Sequence, residues 1–99
     1  MEYHYPIDPD WSTHEVIDVV EFFQLIEEAY EKQVKASKVM EQYKKFKAVI
    51  PSKAEEKTLF KQFEKQSSYV PYQVVKAAKE SDGSQNISLK NELGDFTEF

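Results

Sequence analysis

The stretch STHEVIDVVEFFQLIEEAYEKQV, residues 12–34, decides the fold because it describes a helix that is apolar over most of its circumference. Ser12 with Glu15 three residues on is a capping box, which predicts that the helix begins here. At about 100° per residue, the apolar side chains cover roughly 220° of the circumference. The central members are Val16, Val19, Val20, Phe23, Ile26, Tyr30 and Val34, and the flanking members are Phe22, Leu25 and Ala29. One neighbouring helix cannot cover so wide an arc, so this helix is predicted either to lie at the centre of the fold or to contact a second subunit as well.

Three more helices are predicted after the first one, which spans about residues 13–34. They cover about residues 38–50, 53–66 and 71–80. Pro51 ends the second helix, and Ser52 with Glu55 forms another capping box, so the second and third helices should be neighbours joined by a short turn. Pro71 is a favoured first-turn residue. We therefore predict an all-α fold, a compact antiparallel array of about four helices in a single domain over residues 1–81.

The two ends of the chain differ from this helical body. Pro6 and Pro9 push the residues before them out of the α region, which predicts an extended N-terminal arm over residues 1–11. The apolar edge that this arm would lay across the helices consists of Tyr3, Tyr5, Ile7 and Trp11. Residues 82–86, DGSQN, are typical of a linker. Residues 82–99 are therefore predicted to be a flexible tail, with at most one short helix around Leu89, Leu93 and Phe96.

Charge is segregated along the chain, which has a net charge of −5. Residues 1–31 hold nine carboxylates and no lysine, residues 32–65 hold ten lysines against four glutamates, and residues 66–99 hold three lysines against five acids. All basic residues are lysine. Arginine, whose planar guanidinium makes two-point contacts to guanine and phosphate, is absent, so sequence-specific nucleic-acid binding is not favoured. The lysine-rich middle is either a solvated face, a partner of the acidic face of the first helix, or a landing surface for an acidic partner.

Several kinds of site are not expected. The chain has no cysteine, so it can form neither a disulfide nor a thiolate metal site. His4, Asp8, Asp10 and His14 match no spacing of a tight metal site, and no metal or cofactor is predicted. No basic-then-apolar leader begins the sequence, and no apolar run approaches the ~20 residues that cross a bilayer. We expect a cytoplasmic protein without membrane association.

Glu56 is the residue whose position comes closest to indicating chemistry. In the predicted third helix it precedes Leu59, Phe60 and Phe63 by helical spacings, so it faces the apolar side. A carboxylate that loses solvation is a candidate general acid or base. Alternatively, Glu56 favours the positive end of the helix and accepts a hydrogen bond from a buried tyrosine or lysine. No second catalytic group lies nearby in the sequence, so no catalytic residue is assigned and an enzyme is not expected.

The leading functional prediction is a non-enzymatic interaction protein that works through a helical surface. Its partner would be another protein or a second copy of itself, and a homodimer is the simplest case. Exposed tyrosines commonly anchor a binding partner, although Tyr69 and Tyr72 could instead pack beneath the N-terminal arm. The candidate surface residues are Phe22, Leu25, Tyr69, Tyr72, Lys44, Lys45, Lys53 and Lys57.

Two alternatives stay open. One is a weak binder of nucleic acid or another anionic surface, which would use lysines alone and would be strongly sensitive to salt. Its candidate residues are Lys44, Lys45, Lys53, Lys57 and Lys61. The other is a small-molecule enzyme built around Glu56, which would need a concave pocket and a second ionisable group within reach.

A set of short motifs links the chain to a known family. The motifs include YPID at residues 5–8, DWS at 10–12, VVEFF at 19–23 and, most specifically, PSKAEEK at 51–57. Over about residues 3–80 the chain resembles the YktA-like family of uncharacterised small bacterial proteins. The resemblance implies a small all-helical domain from a low-GC Gram-positive bacterium. It implies no activity.

Overall fold

The capping box at Ser12 begins the first helix in the computed structural model, which describes residues 5–89. The Glu15 amide donates to Ser12 Oγ at 3.2 Å, and the Ser12 amide donates to Glu15 Oε1 at 2.9 Å. Helix α1 then spans Thr13–Glu31. Tyr3 and His4 of the predicted arm, and Leu93 and Phe96 of the predicted tail, lie outside the described residues.

Three further helices follow α1 within residues 5–89. Helix α2 spans Ala36–Val49, helix α3 spans Lys53–Ser67 and helix α4 spans Pro71–Glu80. Ser52 Oγ accepts a hydrogen bond from the Glu55 amide at 3.3 Å, so Ser52 caps α3 as predicted. Helix α2 packs against both α1 and α4. The predicted all-α class, with four helices in a compact array, is confirmed.

The prediction that α1 continues to residue 34 is wrong. The helix ends at Glu31, and the chain turns into a two-residue strand β1, Val34–Lys35. Strand β1 pairs antiparallel with strand β2, Asn86–Ile87, so that Val34 faces Ile87 and Lys35 faces Asn86. Val34 and Ile87 are each only 6% exposed. Val34 is therefore buried, as its place on the predicted apolar face required, but it belongs to a strand and not to helix α1.

The prediction of a flexible tail from residue 82 is wrong for residues 82–89, because residues 83–89 cap two helix ends. We call residues 83–89 the capping segment. The first amides of α2 have no side-chain cap, and the Ala36 and Ser37 amides instead donate to the carbonyls of Gln85 and Gly83, at 2.9 and 3.1 Å. At the end of α1, the Ala29 carbonyl accepts from the Leu89 amide at 2.7 Å. Backbone groups that helix ends leave unpaired are thus satisfied by a distant part of the chain.

The core is a cluster of aromatic rings around α1. Phe22 and Phe23 are fully buried; the Phe22 ring lies 4.7 Å from Phe46 and the Phe23 ring lies 4.6 Å from Phe63, between centroids. Helix α1 is therefore central, which is one of the two arrangements predicted from its wide apolar arc. The N-terminal arm adds to this cluster, since the Tyr5 ring lies 6.2 Å from Phe63. No helix within residues 5–89 is both long enough and apolar enough to cross a membrane.

Candidate functional site

An open groove runs between α3 and α4. Its α3 wall carries Lys53, Lys57 and Lys61, and its α4 wall carries Tyr72 and Lys79. The two helices follow each other through a three-residue link, residues 68–70. Tyr43 of α2 contacts both the start of α3, through Glu56, and the end of α4, through Lys79. Helices α3 and α4 therefore run in opposite directions, and Tyr43 lies at one end of the groove.

The floor of this α3–α4 groove is apolar and its rim is basic. The groove has a volume of about 240 Å³. Its floor is formed by Phe60, Val70, Pro71 and Val75. On the rim, Tyr72 is 59% exposed, the highest value among the large apolar side chains of residues 5–89. The charged side chains of the lining are Lys53, Lys57, Lys61 and Lys79 against Glu56 and Glu64.

Glu56 is buried, with 5% exposure, and both of its carboxylate oxygens are bonded. Tyr43 Oη donates to Oε2 at 2.8 Å, and Lys47 Nζ donates to Oε1 at 2.7 Å. The structure therefore shows the second of the two predicted arrangements, in which a tyrosine or a lysine satisfies this carboxylate; here both do. The contacts join α2 to α3 and neutralise the Glu56 charge, so the free charge at the rim of the groove is predominantly positive.

The environment of Tyr43 follows from this network. Burial of the phenol, the hydrogen bond to Glu56 and the charge of that carboxylate together raise the pKa of Tyr43 well above its usual range. The phenol is therefore held neutral as a hydrogen-bond donor. On its face, Lys79 Nζ lies 5.6 Å from the ring centroid, a cation–π distance. Tyr43 thus contacts both a carboxylate and an ammonium group at one end of the groove.

The candidate surface residues are not brought together as predicted. Phe22 is fully buried in the core, so its assignment to an interaction surface is wrong. Other parts of the same chain cover this side of helix α1. Leu25 is half-buried and lines a separate polar cavity of about 250 Å³ between α1 and α2. Three glutamates and one lysine line that cavity, namely Glu21, Glu28, Glu41 and Lys38.

The remaining candidates divide into two groups. Tyr72, Lys53 and Lys57 line the α3–α4 groove, whereas Lys44 and Lys45 are exposed on α2 outside it. Tyr69 belongs to the fold, because its ring stacks on Tyr30 at 4.8 Å and its hydroxyl donates to Glu31 Oε2 at 2.8 Å. Within residues 5–89, no group of three or more histidine or acidic side chains is placed to hold a metal ion.

Sequence reasoning missed Lys79 and Val75 as parts of the site. Tyr72, Val75 and Lys79 follow the spacing i, i+3, i+7 along α4, which places them on one face of a helix. This signal is present in the sequence. It identifies a groove only when the opposite wall on α3 is known, and helical periodicity does not show which faces meet.

Comparison with known proteins identifies a family. The profile of an uncharacterised protein family, UPF0223, matches residues 2–87. A UPF0223 protein of Oceanobacillus iheyensis, OB1419, is 55% identical over 89 residues, which are 90% of this chain and all of the relative. The UPF0223 protein YktA of Bacillus subtilis is 51% identical over 82 residues, or 83% of this chain and 93% of the relative. A UPF0223 protein of Staphylococcus aureus is 47% identical over 90 residues, or 91% of this chain and 99% of the relative.

Proposed function

The chain belongs to the UPF0223 family, as its motifs predicted, and we propose that it is a non-enzymatic interaction protein that binds a partner protein in the α3–α4 groove. The single observation that carries the proposal is the combination of an apolar floor with a strongly exposed tyrosine at the rim. Tyr72 is 59% exposed beside the buried Val75. Large aromatic side chains next to a desolvated pocket are the residues on which binding energy concentrates in protein interfaces.

The size of the groove supports a protein partner over a small molecule. Its volume of about 240 Å³ lies below the ~300–1,000 Å³ of pockets that enclose drug-sized ligands. An open groove between two helices instead suits a side chain presented by a partner, as in helix-in-groove recognition. Because the rim lysines border the apolar floor of the same groove, a partner bound there would contact apolar and charged groups at once.

A non-enzymatic role is favoured by the state of Glu56. Each of its oxygens accepts a hydrogen bond from a structural partner, Oε2 from Tyr43 and Oε1 from Lys47, so this carboxylate is already engaged within the fold. Among the described residues that line the groove, the other ionisable side chains are lysines, tyrosines and Glu64, and there is no histidine. An enzyme built around Glu56 is thus the weaker hypothesis.

Self-association and nucleic-acid binding have less support. The homodimer was inferred from the breadth of the apolar arc of α1, and Phe22 is covered by the chain's own fold. The lysines predicted to bind nucleic acid do not all line one groove, since Lys44 and Lys45 lie outside the groove that holds Lys53 and Lys57. A cytoplasmic location, expected from the sequence, is kept as part of the proposal and would be checked by cell fractionation.

Site-specific photo-crosslinking tests the proposal. A photoreactive phenylalanine replaces Tyr72 in the groove or, as the control, Ile17, which is 47% exposed on α1. Illumination in the native cells should give a protein adduct from position 72 and no matching adduct from position 17. The captured protein is then identified and purified.

Binding of the purified protein decides the outcome. Tyr72→Ala should weaken the affinity between this chain and the captured protein by at least about tenfold, because an aromatic anchor is lost. Ile17→Ala should leave the binding unchanged. A protein that binds both variants equally, or the absence of any adduct specific to position 72, would remove the proposal.

A further inference from the structure

We propose that the partner segment recognised by the α3–α4 groove is an acidic helix that carries one large apolar anchor side chain. This inference rests on the function proposed above and adds the chemistry of the partner. The anchor would contact the floor at Val75 beside Tyr72, and the carboxylates of the partner would face the lysines of the rim.

Charge complementarity is the first argument. The protein has a net charge of −5, yet the rim of this groove carries Lys53, Lys57, Lys61 and Lys79. Among residues 5–89 the ion pairs are His14–Asp18 and Lys47–Glu56, so none of the four rim lysines has a carboxylate partner in the described part of the chain. A local basic rim on an acidic protein favours an acidic partner and repels a second basic one.

The spacing of the lysines is the second argument. Lys53, Lys57 and Lys61 are four residues apart on α3, so neighbouring members lie about 6 Å apart along the axis and the row is about 12 Å long. Like charges at this spacing destabilise a helix slightly, and an opposing row of carboxylates relieves that repulsion. Glutamates four residues apart on a second helix have the same repeat.

The limited volume is the third argument. A groove of about 240 Å³ with one exposed aromatic side chain at its rim has room for one large side chain rather than for a row of them. Glu64 stands at the end of the groove near Tyr72, and Lys79 stands at the other end. The carboxylates of the partner are therefore expected toward the Lys79 end, away from Glu64.

Three stapled helical peptides of about 16 residues test the chemistry, since unstapled helices of that length are marginal in water. The first has one phenylalanine and three glutamates at four-residue intervals, the second has glutamine in place of each glutamate, and the third has alanine in place of phenylalanine. Fluorescence anisotropy measures the binding of each to the full chain. The first peptide should bind at least about tenfold tighter than either of the others.

A pair of charge-reversal variants locates the binding. Lys57→Glu with Lys61→Glu changes the groove, and Lys44→Glu with Lys45→Glu makes the same change in charge on exposed positions of α2. The groove variant should weaken binding of the acidic peptide by about tenfold or more, and the α2 variant by no more than about twofold. Circular dichroism checks that both variants stay folded. Equal losses in the two variants would show non-specific attraction and would overturn the inference.

Failure of the inference can be told apart from failure of the proposed function. If the glutamine peptide binds as tightly as the acidic one, or if an RNA oligonucleotide displaces the acidic peptide at lower concentration than the unlabelled acidic peptide does, the acidic-helix inference is wrong. The groove still binds a protein in that case if the crosslink at position 72 forms. If no peptide binds and no crosslink forms, both proposals are wrong.

Discussion

Within residues 5–89, three tyrosines make the same contact, a phenol that donates to a glutamate of another element. The pairs are Tyr5–Glu27, Tyr43–Glu56 and Tyr69–Glu31, at 2.9, 2.8 and 2.8 Å. They join the arm to α1, α2 to α3 and the link before α4 to α1. Hydrogen bonds to a charged acceptor are stronger than those between neutral groups. Each contact therefore ties together two parts of the chain that are distant in the sequence.

Substitution of Glu56 tests the most buried of these contacts. Glu56→Gln keeps the shape of the side chain but removes its charge, and the single amide oxygen can replace only one of the two oxygens that accept from Tyr43 and Lys47. Because Lys47 is partly solvated, we expect the free energy of unfolding to fall by about 1–3 kcal/mol, below the range for a fully buried pair. Urea denaturation measures this change.

Glu55→Gln is the matched control. Glu55 precedes Glu56 in the first turn of α3, so both substitutions remove a favourable interaction with the positive end of the helix. Glu55 is exposed, and its loss should change the free energy of unfolding by no more than about 0.5 kcal/mol. Equal effects of the two substitutions would mean that the Tyr43 and Lys47 contacts contribute nothing.

The tyrosines also predict how stability depends on pH. Burial, the hydrogen bond to a glutamate and its charge raise the pKa of Tyr5 and of Tyr69 to about 12, and raise that of Tyr43 further. The unfolded value is about 10. A pKa that is higher in the folded state gives stability that is complete below pH 10 and is lost as the pH rises from 10 to 12. Urea denaturation between pH 9 and pH 12 should show this fall.

Tyr69→Phe isolates the contribution of one tyrosine to this fall. The variant lacks one ionisable phenol and keeps every other ionisable group. Its free energy of unfolding should start lower at pH 9 and fall less between pH 10 and pH 12 than that of the natural sequence. Parallel curves for the two proteins would contradict the assignment.

At the scale of elements, the capping segment explains how α1 and α2 can meet at a tight corner. The Ala36 and Ser37 amides at the start of α2 and the Ala29 carbonyl at the end of α1 find partners within residues 83–89. Ser88 Oγ adds a hydrogen bond to the Lys32 carbonyl at 2.9 Å. Without these partners, several backbone groups at the corner would have to be satisfied by water.

Ile87 anchors this segment and offers a direct test. Ile87→Ala removes a buried side chain and should lower the free energy of unfolding by about 2–3 kcal/mol. Hydrogen exchange at the Ala36 and Ser37 amides should become faster because their acceptors move away. Ile17→Ala makes the same chemical change at an exposed position and should alter stability by no more than about 0.5 kcal/mol. Unchanged exchange at Ala36 would contradict the capping role.

At the scale of the whole molecule, the helices could be predicted because their signals are local. Ser12, Ser52 and Pro71 each mark a helix start within one turn of chain, and the structure begins helices at those points. The capping segment could not be predicted in the same way. A pairing of two residues is too short to show the alternation of a strand, and DGSQN has the composition of a linker.

The site was predictable only in part, for a related reason. Tyr72, Lys53 and Lys57 were singled out one by one, and the structure places them around one groove. Their grouping depends on Tyr43, which contacts both Glu56 and Lys79 although it lies far from Lys79 in the sequence. Phe22 was misplaced because a helical wheel gives the width of an apolar face but not the number of neighbours that cover it.

The capping segment also has a consequence for biosynthesis. Residues 83–89, which pair with the corner between α1 and α2, are synthesised about fifty residues after that corner. Translation adds about 5–20 residues per second, so the delay is of the order of seconds. Until then the nascent chain holds the beginning of α2 with open amides and an uncovered Val34. Final closure of this fold therefore waits until residues 83–89 have been made, however early its first helix forms.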